Sequence, residues 1–461
     1  MEGKVGIYVC GVTVYDYCHI GHARSAIVFD VLVRYLRARG YDVTYVRNFT
    51  DVDDKIIDRA KKLGKETNAL AQEYIDAFYE DMGRLGVLKA DKEPRATEHI
   101  GGMIDMIHEL VNKEYAYVVG DEVFFSVEAF EDYGTLSGRK LDEMKAGSRI
   151  AVDEKKRHPM DFVLWKGAKP DEPQWPSPWG PGRPGWHMEC SVMSGHFLGD
   201  TFDIHGGGKD LLFPHHENER AQSIGATGGG FAKYWVHNGF VTVESEKMSK
   251  SLGNFLTIRD ALNMYPPQVL RLFLLSKHYR SPLDFSRAEV LGMQSGLVRI
   301  YRALQKIEEQ LGSVEGSEGG KDNGEGRFAE HFNRLMEDDL NTAGAIGLIF
   351  EKVREMNKLI QPHPGRLKEE SRQRLLADRR NILAAGHVLG LLEESPQDFF
   401  AQLSRDKADI DQEMVERLIE ERTAARSQKD WAKADEIRDR LKEMNVVLED
   451  GPGGTTWRLD V

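Results

Sequence analysis

The chain is 461 residues long, 41% hydrophobic and 30% charged, the balance of a soluble globular protein with about three domains at roughly 150 residues each. No apolar run is of spanning length and Met1-Glu2-Gly3-Lys4 opens no apolar signal core, so neither membrane insertion nor export is expected. A net charge of −13 argues against indiscriminate nucleic-acid binding while leaving room for RNA held by local basic patches, and three cysteines (Cys10, Cys18, Cys190) are too few for a disulfide framework, pointing instead to metal binding or catalysis in a reducing cytosol.

Val5 to Val9 reads as a short buried strand, broken by Cys10 and Gly11. His19-Ile20-Gly21-His22 follows, opening a helix with Val28, Leu32, Tyr35 and Leu36 on one face. A strand, a turn and a helix opening with His-x-Gly-His is a place to hold phosphate. First-turn N–H groups and the helix dipole attract an anion, glycine allows close approach, and the two imidazoles share a face. Four residues of this kind also match by chance. Val43, Tyr45 and Val46 mark a second strand, with Asn48-Phe49-Thr50 after its end, where α/β folds bind ligands. Asp51, Asp53 and Asp54 read as helix N-terminal charge rather than a metal site. Leu70, Tyr74, Phe78 and Met82 continue the helical spacing to about Leu85.

A further helix runs from Glu93 to Leu110, and Tyr115 to Val127 reads as a strand pair turning at Gly120-Asp121. Residues from about 110 to 165 form an insertion. A loop rich in proline (Pro170 to Pro184) and tryptophan feeds Trp186-His187-Met188-Glu189-Cys190. Two more motifs follow, Asp203-Ile204-His205-Gly206-Gly207-Gly208-Lys209-Asp210 and Pro214-His215-His216-Glu217-Asn218-Glu219, then a strand-like run from Phe231 to Val243 and the stretch EKMSKSLGN. Beyond Asp284 the pattern turns helical: Leu291 to Ile307, Phe328 to Met336, Thr342 to Ile360 and Leu367 to Leu391, with a Gly/Ser/Glu-rich linker at Leu311 to Arg327. Ser395 to Gln412 reads as a boundary. Two short helices and a hairpin from Val446 to Trp457 close the chain.

Cys10, Cys190, His215 and Glu219 are far apart, but thiolate, imidazole and carboxylate are all zinc ligands, and His215 and Glu219 share a helical face. The alternatives are a solvated polar helix start and a plain buried strand cysteine.

Taken together, YVCGVTVYDYCHIGHARS, NFTDVDDK, WHMECS, HGGGKDLLFPHHENE, KMSKSLGN, DDLNTAGA and LEDGPGGTTW, in this order, resemble a cysteinyl-tRNA synthetase, a class I aminoacyl-tRNA synthetase, over nearly the whole chain. The resemblance implies an α/β protein: a Rossmann-type parallel-sheet catalytic domain (1–284) with a connective insertion and a Lys-Met-Ser-Lys-Ser loop at 247–251, a helical bundle (285–394), and a small C-terminal α+β anticodon-binding domain (395–461). It implies one zinc per chain on Cys10, Cys190, His215 and Glu219. It also implies that His19, His22, Lys247 and Lys250 grip ATP with Mg²⁺. Gly11, Thr13, Gly21, Ser25, Asn48, Gly208, Asp210 and Lys250 match positions around the adenylate, and Thr50 and Trp186 match the cysteine pocket. Only nine residues precede Cys10, fewer than the family carries, so either the start is misplaced or an edge element is missing.

The partners implied are ATP, L-cysteine and the cysteine tRNA, for a cytoplasmic monomer. Cysteine carboxylate attacks the α-phosphate of ATP, and a ribose hydroxyl of the terminal adenosine then takes the cysteinyl group. A shaped pocket separates cysteine from serine by only ~1–3 kcal/mol, whereas a metal reads sulfur directly, so no editing domain is needed. Three rivals share parts of the pattern: a cysteine ligase of the mycothiol pathway with a sugar-amine acceptor, a catalytically silent RNA-binding paralogue, and a small-molecule nucleotidyltransferase. The stretch from Asp430 to Trp457 favours tRNA over the first. The intact histidines, lysines and zinc set argue against the second, and the third needs neither zinc nor C-terminal domains.

Overall fold

The computed structural model describes residues 3–141, 154–243, 246–247, 255–311, 326–360, 368–405, 412–427, 430–443, 446–451 and 454–459. The chain divides into two compact units. One comprises Met1–Phe285, His331–Ala345 and Val388–Gly390; the other comprises Ser286–Glu330, Ile346–His387 and Leu391–Val461. Among the described residues no helix is long and apolar enough to cross a membrane.

The first unit starts with β1 (Lys4–Thr13), α1 (Ile20–Ala38) and β2 (Asp42–Thr50). The two strands are parallel neighbours, paired from Lys4↔Asp42 to Thr13↔Thr50 with an irregularity between Val9 and Val12. The break expected at Cys10-Gly11 is therefore a local bulge inside a longer strand. Asn48-Phe49-Thr50 likewise belongs to β2 instead of following it. α1 is held by an apolar face that includes Ile20, Ile27, Val28, Phe29 and Leu32, all buried; each such side chain contributes ~1.5–3 kcal/mol when removed from water. α2 (Asp54–Leu63) begins at Asp53, whose carboxylate accepts the Lys55 N–H, and α3 (Thr67–Arg84) buries Leu70, Tyr74, Phe78 and Met82. Asp51 accepts from the Thr97 N–H and hydroxyl. The acidic run thus caps and ties elements, as its position suggested.

After α4 (Ile100–Asn112) come β3 (Ala116–Val119), β4 (Glu122–Phe125), β5 (Phe162–Gly167) and β6 (Gly182–Pro184), an antiparallel sheet in that order. It reaches Pro184, well past the boundary near 165 expected from sequence. The proline-rich segment supplies β6, an edge strand, where a missing N–H is tolerated. α5 (Trp186–Leu198), β7 (Phe202–Gly208), α6 (Glu217–Thr227) and β8 (Ala232–Asn238) return to the first layer. The parallel sheet has the order β2-β1-β7-β8. A second small sheet joins β9 (Val241–Val243), β10 (Glu246–Lys247) and, after α7 (Ile258–Met264) and α8 (Pro267–Leu275), β11 (Leu283–Phe285).

Arg24, wholly buried on α1, fixes how this second sheet sits against the first. Its guanidinium donates to the carbonyls of Gly239, Phe240, His278 and Ser281 at 2.6–3.2 Å. Burial brings its pKa down to about 10.

The second unit contains α9 (Arg287–Leu311). α10 (Arg327–Glu337) and α11 (Thr342–Leu359) each cross the division between the units, and α12 (Glu369–Leu389) belongs to the second unit up to His387. Residues 396–405, read from sequence as a boundary, form α13 (Pro396–Arg405). Its Phe399 stacks on Tyr301 of α9 with ring centroids 4.0 Å apart. At the C-terminal end α14 (Gln412–Ser427), α15 (Trp431–Glu443) and the hairpin β12 (Val446–Gly451) and β13 (Gly454–Leu459) follow. Val415, Leu418, Ile437, Leu441 and Val446 give this piece its own apolar cluster.

Candidate functional site

The carboxyl ends of β1 and β7 and the start of α1 surround a cavity of about 430 Å³. Cys10, Gly11, Thr13, His19, Gly21, His22, Ser25, Trp186, Gly208 and Asp210 line it. Asn48 and Thr50 do not; both are buried behind it. The Asn48 side-chain oxygen accepts the Gly11 N–H at 2.8 Å. A Cβ on residue 11 would overlap the Asn48 carbonyl oxygen, so only glycine allows β1 and β2 to approach this closely.

The two histidines at the head of α1 form a reciprocal cap. His19 Nδ1 accepts the Gly21 N–H at 3.0 Å, and His22 Nδ1 accepts the His19 N–H at 3.2 Å. Their rings stack with centroids 3.7 Å apart. Burial, helped by His19, pushes His22 well below the usual imidazole range. The helix N-terminus and the rings sit together at the cavity wall, the arrangement expected for an anion site. Lys247 lies in β10, and Lys250 lies outside the described residues.

Cys10, Cys190, His215 and Glu219 converge from β1, α5, the turn before α6, and α6. Cys10 Sγ is 3.4 Å from Cys190 Sγ and 3.3 Å from Glu219 Oε1. Cys190 Sγ is 3.7 Å from His215 Nε2, which lies 2.9 Å from Glu219 Oε1. All four donor atoms fall within 4.8 Å of one another. Burial pushes the Cys10 thiol up; for Cys190 burial acts the same way, but the Cys10 thiol and the His215 imidazole outweigh it and bring it down to about 6. Against burial, Glu219 lifts His215 to about 10, and His205 with His215 hold Glu219 well below the carboxylate range. A buried site with two thiols, an imidazole and a carboxylate at this spacing is able to hold a metal ion.

Around these four lie residues whose parts were not singled out from sequence. His205, fully buried on β7, meets Glu219 Oε2 at 2.7 Å. His187 Nδ1 meets His215 Nδ1 at 2.8 Å, and burial with His215 lowers His187 to about 3. Trp186 stacks on the His215 ring at 4.0 Å. His216 and His237 meet at 2.8 Å. Cys10, His205, His216 and Glu219 form a second grouping of possible metal ligands, sharing two members with the first. Glu189 accepts the Thr50 hydroxyl at 2.6 Å, and burial drives its carboxyl well up. His187 and Glu189 stand inside the Trp186–Cys190 motif and His205 inside the glycine-rich one, which is the sequence signal that was available for them.

A parallel sheet with a histidine-capped helix at its carboxyl edge is the catalytic architecture of a class I aminoacyl-tRNA synthetase. Residues 1–295 match the family model described as tRNA synthetases class I (C) catalytic domain; 331–393 match a DALR domain and 412–458 a cysteinyl-tRNA ligase anticodon binding domain. The cysteine–tRNA ligase of Geobacter metallireducens is 54% identical over 100% of this chain and 96% of its own length, and that of Thermodesulfovibrio yellowstonii 51% over the same shares. Among solved structures, the methionyl-tRNA synthetase of Mycobacterium tuberculosis in complex with methionyl-adenylate shares the fold at a TM-score of 0.64 and 16% identity, over 87% of this chain and 93% of that one. The chain belongs to the cysteine–tRNA ligase family.

Proposed function

We propose that the chain activates L-cysteine with ATP and transfers it to the 3′-terminal adenosine of the cysteine tRNA, as a cytoplasmic monomer. The observation that carries this is the convergence of Cys10, Cys190, His215 and Glu219 beside a cavity headed by His19 and His22. The donor set, its spacing and the lowered Cys190 thiol fit zinc on these four residues. When bound, zinc supplies a preference for thiolate over alcohol, which separates cysteine from serine.

In the first step a cysteine carboxylate oxygen bonds to the α-phosphorus of ATP, and the bond to the pyrophosphate oxygen breaks. Negative charge builds on phosphate oxygens at the α1 N-terminus. His19, His22 and the helix dipole stabilise it there, and Lys247 and Lys250 add positive charge to the same phosphates. Mg²⁺ travelling with ATP neutralises part of the triphosphate charge. Gly11, Thr13, Gly21, Ser25, Gly208 and Asp210 hold the adenylate; Asn48 keeps Gly11 in place, Trp186 bounds the amino acid, and Thr50, bonded to Glu189, backs the cavity wall. In the second step a ribose hydroxyl, the 2′ by resemblance, attacks the carbonyl and AMP departs. Membership of a translation-enzyme family supports the cytoplasm.

The test is pyrophosphate exchange with each amino acid, followed by charging of the cysteine tRNA. Exchange confined to cysteine, with transfer to tRNA, is expected; exchange with a different amino acid, or cysteine passing only to a sugar amine, would overturn the reading.

A further inference from the structure

Tyr8 is fully buried, at 0% exposed, and its hydroxyl has no hydrogen-bond partner among the described residues. Buried tyrosine hydroxyls normally find one. A phenylalanine would fill the same space without an unpaired polar atom, so the oxygen needs a reason. Its place on the sheet supplies one. Tyr8 on β1 is in register with His205 on β7, and residues paired across parallel strands face the same side of the sheet. On that side His205 meets Glu219, and the Tyr8 ring meets the His205 ring edge-on with centroids 5.4 Å apart. Cys190 packs in the same apolar cluster as Tyr8, with Cys10 against it. The groups facing the hydroxyl are the Cys190 and Cys10 sulfurs and the Glu219 carboxylate, with the Cys190 sulfur in reach of its hydrogen.

We propose that Tyr8 is a positioning residue of the metal centre, whose hydroxyl donates to the Cys190 sulfur when that sulfur binds zinc. The inference rests on the assignment of zinc to Cys10, Cys190, His215 and Glu219. A neutral thiol accepts a hydrogen bond weakly, while a metal-held thiolate carries charge and accepts one strongly. The donor set brings three negative groups, Cys10, Cys190 and Glu219, to an ion with two positive charges. A neutral O–H donor offsets part of that excess and fixes the direction of the ligand it touches. Glu219 already meets His205 at 2.7 Å. Cys190 has the Asn48 side-chain oxygen 3.8 Å away, but that oxygen takes the Gly11 N–H and is an acceptor, with no hydrogen to give a thiolate. The Tyr8 hydroxyl has one.

The experiment compares the full chain with its Tyr8→Phe variant, which removes only the oxygen. It reads zinc affinity by competition with a chromophoric chelator, melting of the chelator-treated protein, and the sulfur-to-metal charge-transfer absorption of the cobalt(II)-loaded protein. Tyr8→Phe is expected to bind zinc about 10–100-fold more weakly, the scale for losing an outer partner of a ligand. Its cobalt charge-transfer band should shift, because the sulfur loses a hydrogen bond. Without metal it should melt at or above the wild-type temperature, because a buried hydroxyl has gone and no hydrogen bond with it. The opposite signs of the two effects separate a partner of the metal site from a packing residue. The proposal is overturned if zinc affinity is unchanged, or if the metal-free variant melts lower or fails to fold, since the oxygen then serves the fold. Weakened zinc with an unchanged cobalt band would place the hydroxyl on a group other than sulfur and overturn it too. A wild-type chain that binds no zinc would instead remove the metal assignment itself, and this role for Tyr8 with it.

Discussion

Replacing the Cys10 or Cys190 sulfur by oxygen changes one atom and little volume, yet a serine hydroxyl does not ionise at neutral pH and is a poor zinc ligand. Cys10→Ser and Cys190→Ser are therefore expected to lose both bound zinc and cysteine-dependent exchange. The loss of activity should exceed the roughly 10–100-fold typical when only an outer partner of a ligand is removed, the scale expected for His205 or His187. Metal analysis beside the exchange assay checks this, and stoichiometric zinc in both variants would reject the ligand assignment. At this scale the sequence was legible unevenly. The four residues could be grouped because their chemical types are unusual for buried positions and because the joint motifs resemble a family. The contacts of His205 with Glu219 and of Thr50 with Glu189 could not be read, because partner choice among buried polar groups follows from how β2, β7, α5 and α6 pack, not from spacing along the chain.

Elements with a long apolar period were the easiest to read. The long helices α1, α9, α11 and α12 agree with their expected spans to within a few residues. The misreadings came from local signals that tertiary structure overrode. Cys10-Gly11 looked like a strand end because glycine punctuates, but β1 continues because β2 supplies hydrogen bonds on both sides of the bulge. Ser395-Pro396 looked like a boundary, whereas proline is well placed as the first residue of a helix and the following Phe399 has a buried partner. Arg24 shows how one side chain sets the relation between elements. Lysine at that position keeps a charge but lacks the fork that reaches four carbonyls. Arg24→Lys should leave at least one buried carbonyl unsatisfied, at ~1–3 kcal/mol, and lower Tm by about 2–6 °C in a domain of this size. Because Asn238, Gly239, Phe240 and Val241 line the cavity, the ATP KM should rise as well. Unchanged melting and unchanged ATP KM would show that the collar of carbonyls does not hold this wall.

For the molecule as a whole, the question is whether activation and tRNA selection are separable. Every chemical motif lies before residue 255, while residues 412–458 match the anticodon-binding model and have their own apolar cluster. Trp431 bears on this directly. Its spacing with Ala434, Ile437 and Leu441 made a core role plausible, but those three are buried and Trp431 is 60% exposed, which leaves its face open to stack on an unpaired base. Arg438 is exposed too, though paired with Asp435 at 3.2 Å, so the local field is weaker than the count of cations along α14 and α15 suggests. The place to divide the chain also follows from packing. A cut after Ser395 would remove Phe399 from Tyr301, a loss on the order of 3–5 kcal/mol for a buried aromatic, and would confuse instability with lost recognition. A cut after Arg405 keeps α13. The shortened chain is expected to retain cysteine-dependent pyrophosphate exchange within about twofold, while kcat/KM for charging falls roughly 100-fold, consistent with losing two base contacts at ~1–3 kcal/mol each. If it folds and charges tRNA as well as the full chain does, the C-terminal piece does not select the tRNA, and a sugar amine becomes the acceptor to try next.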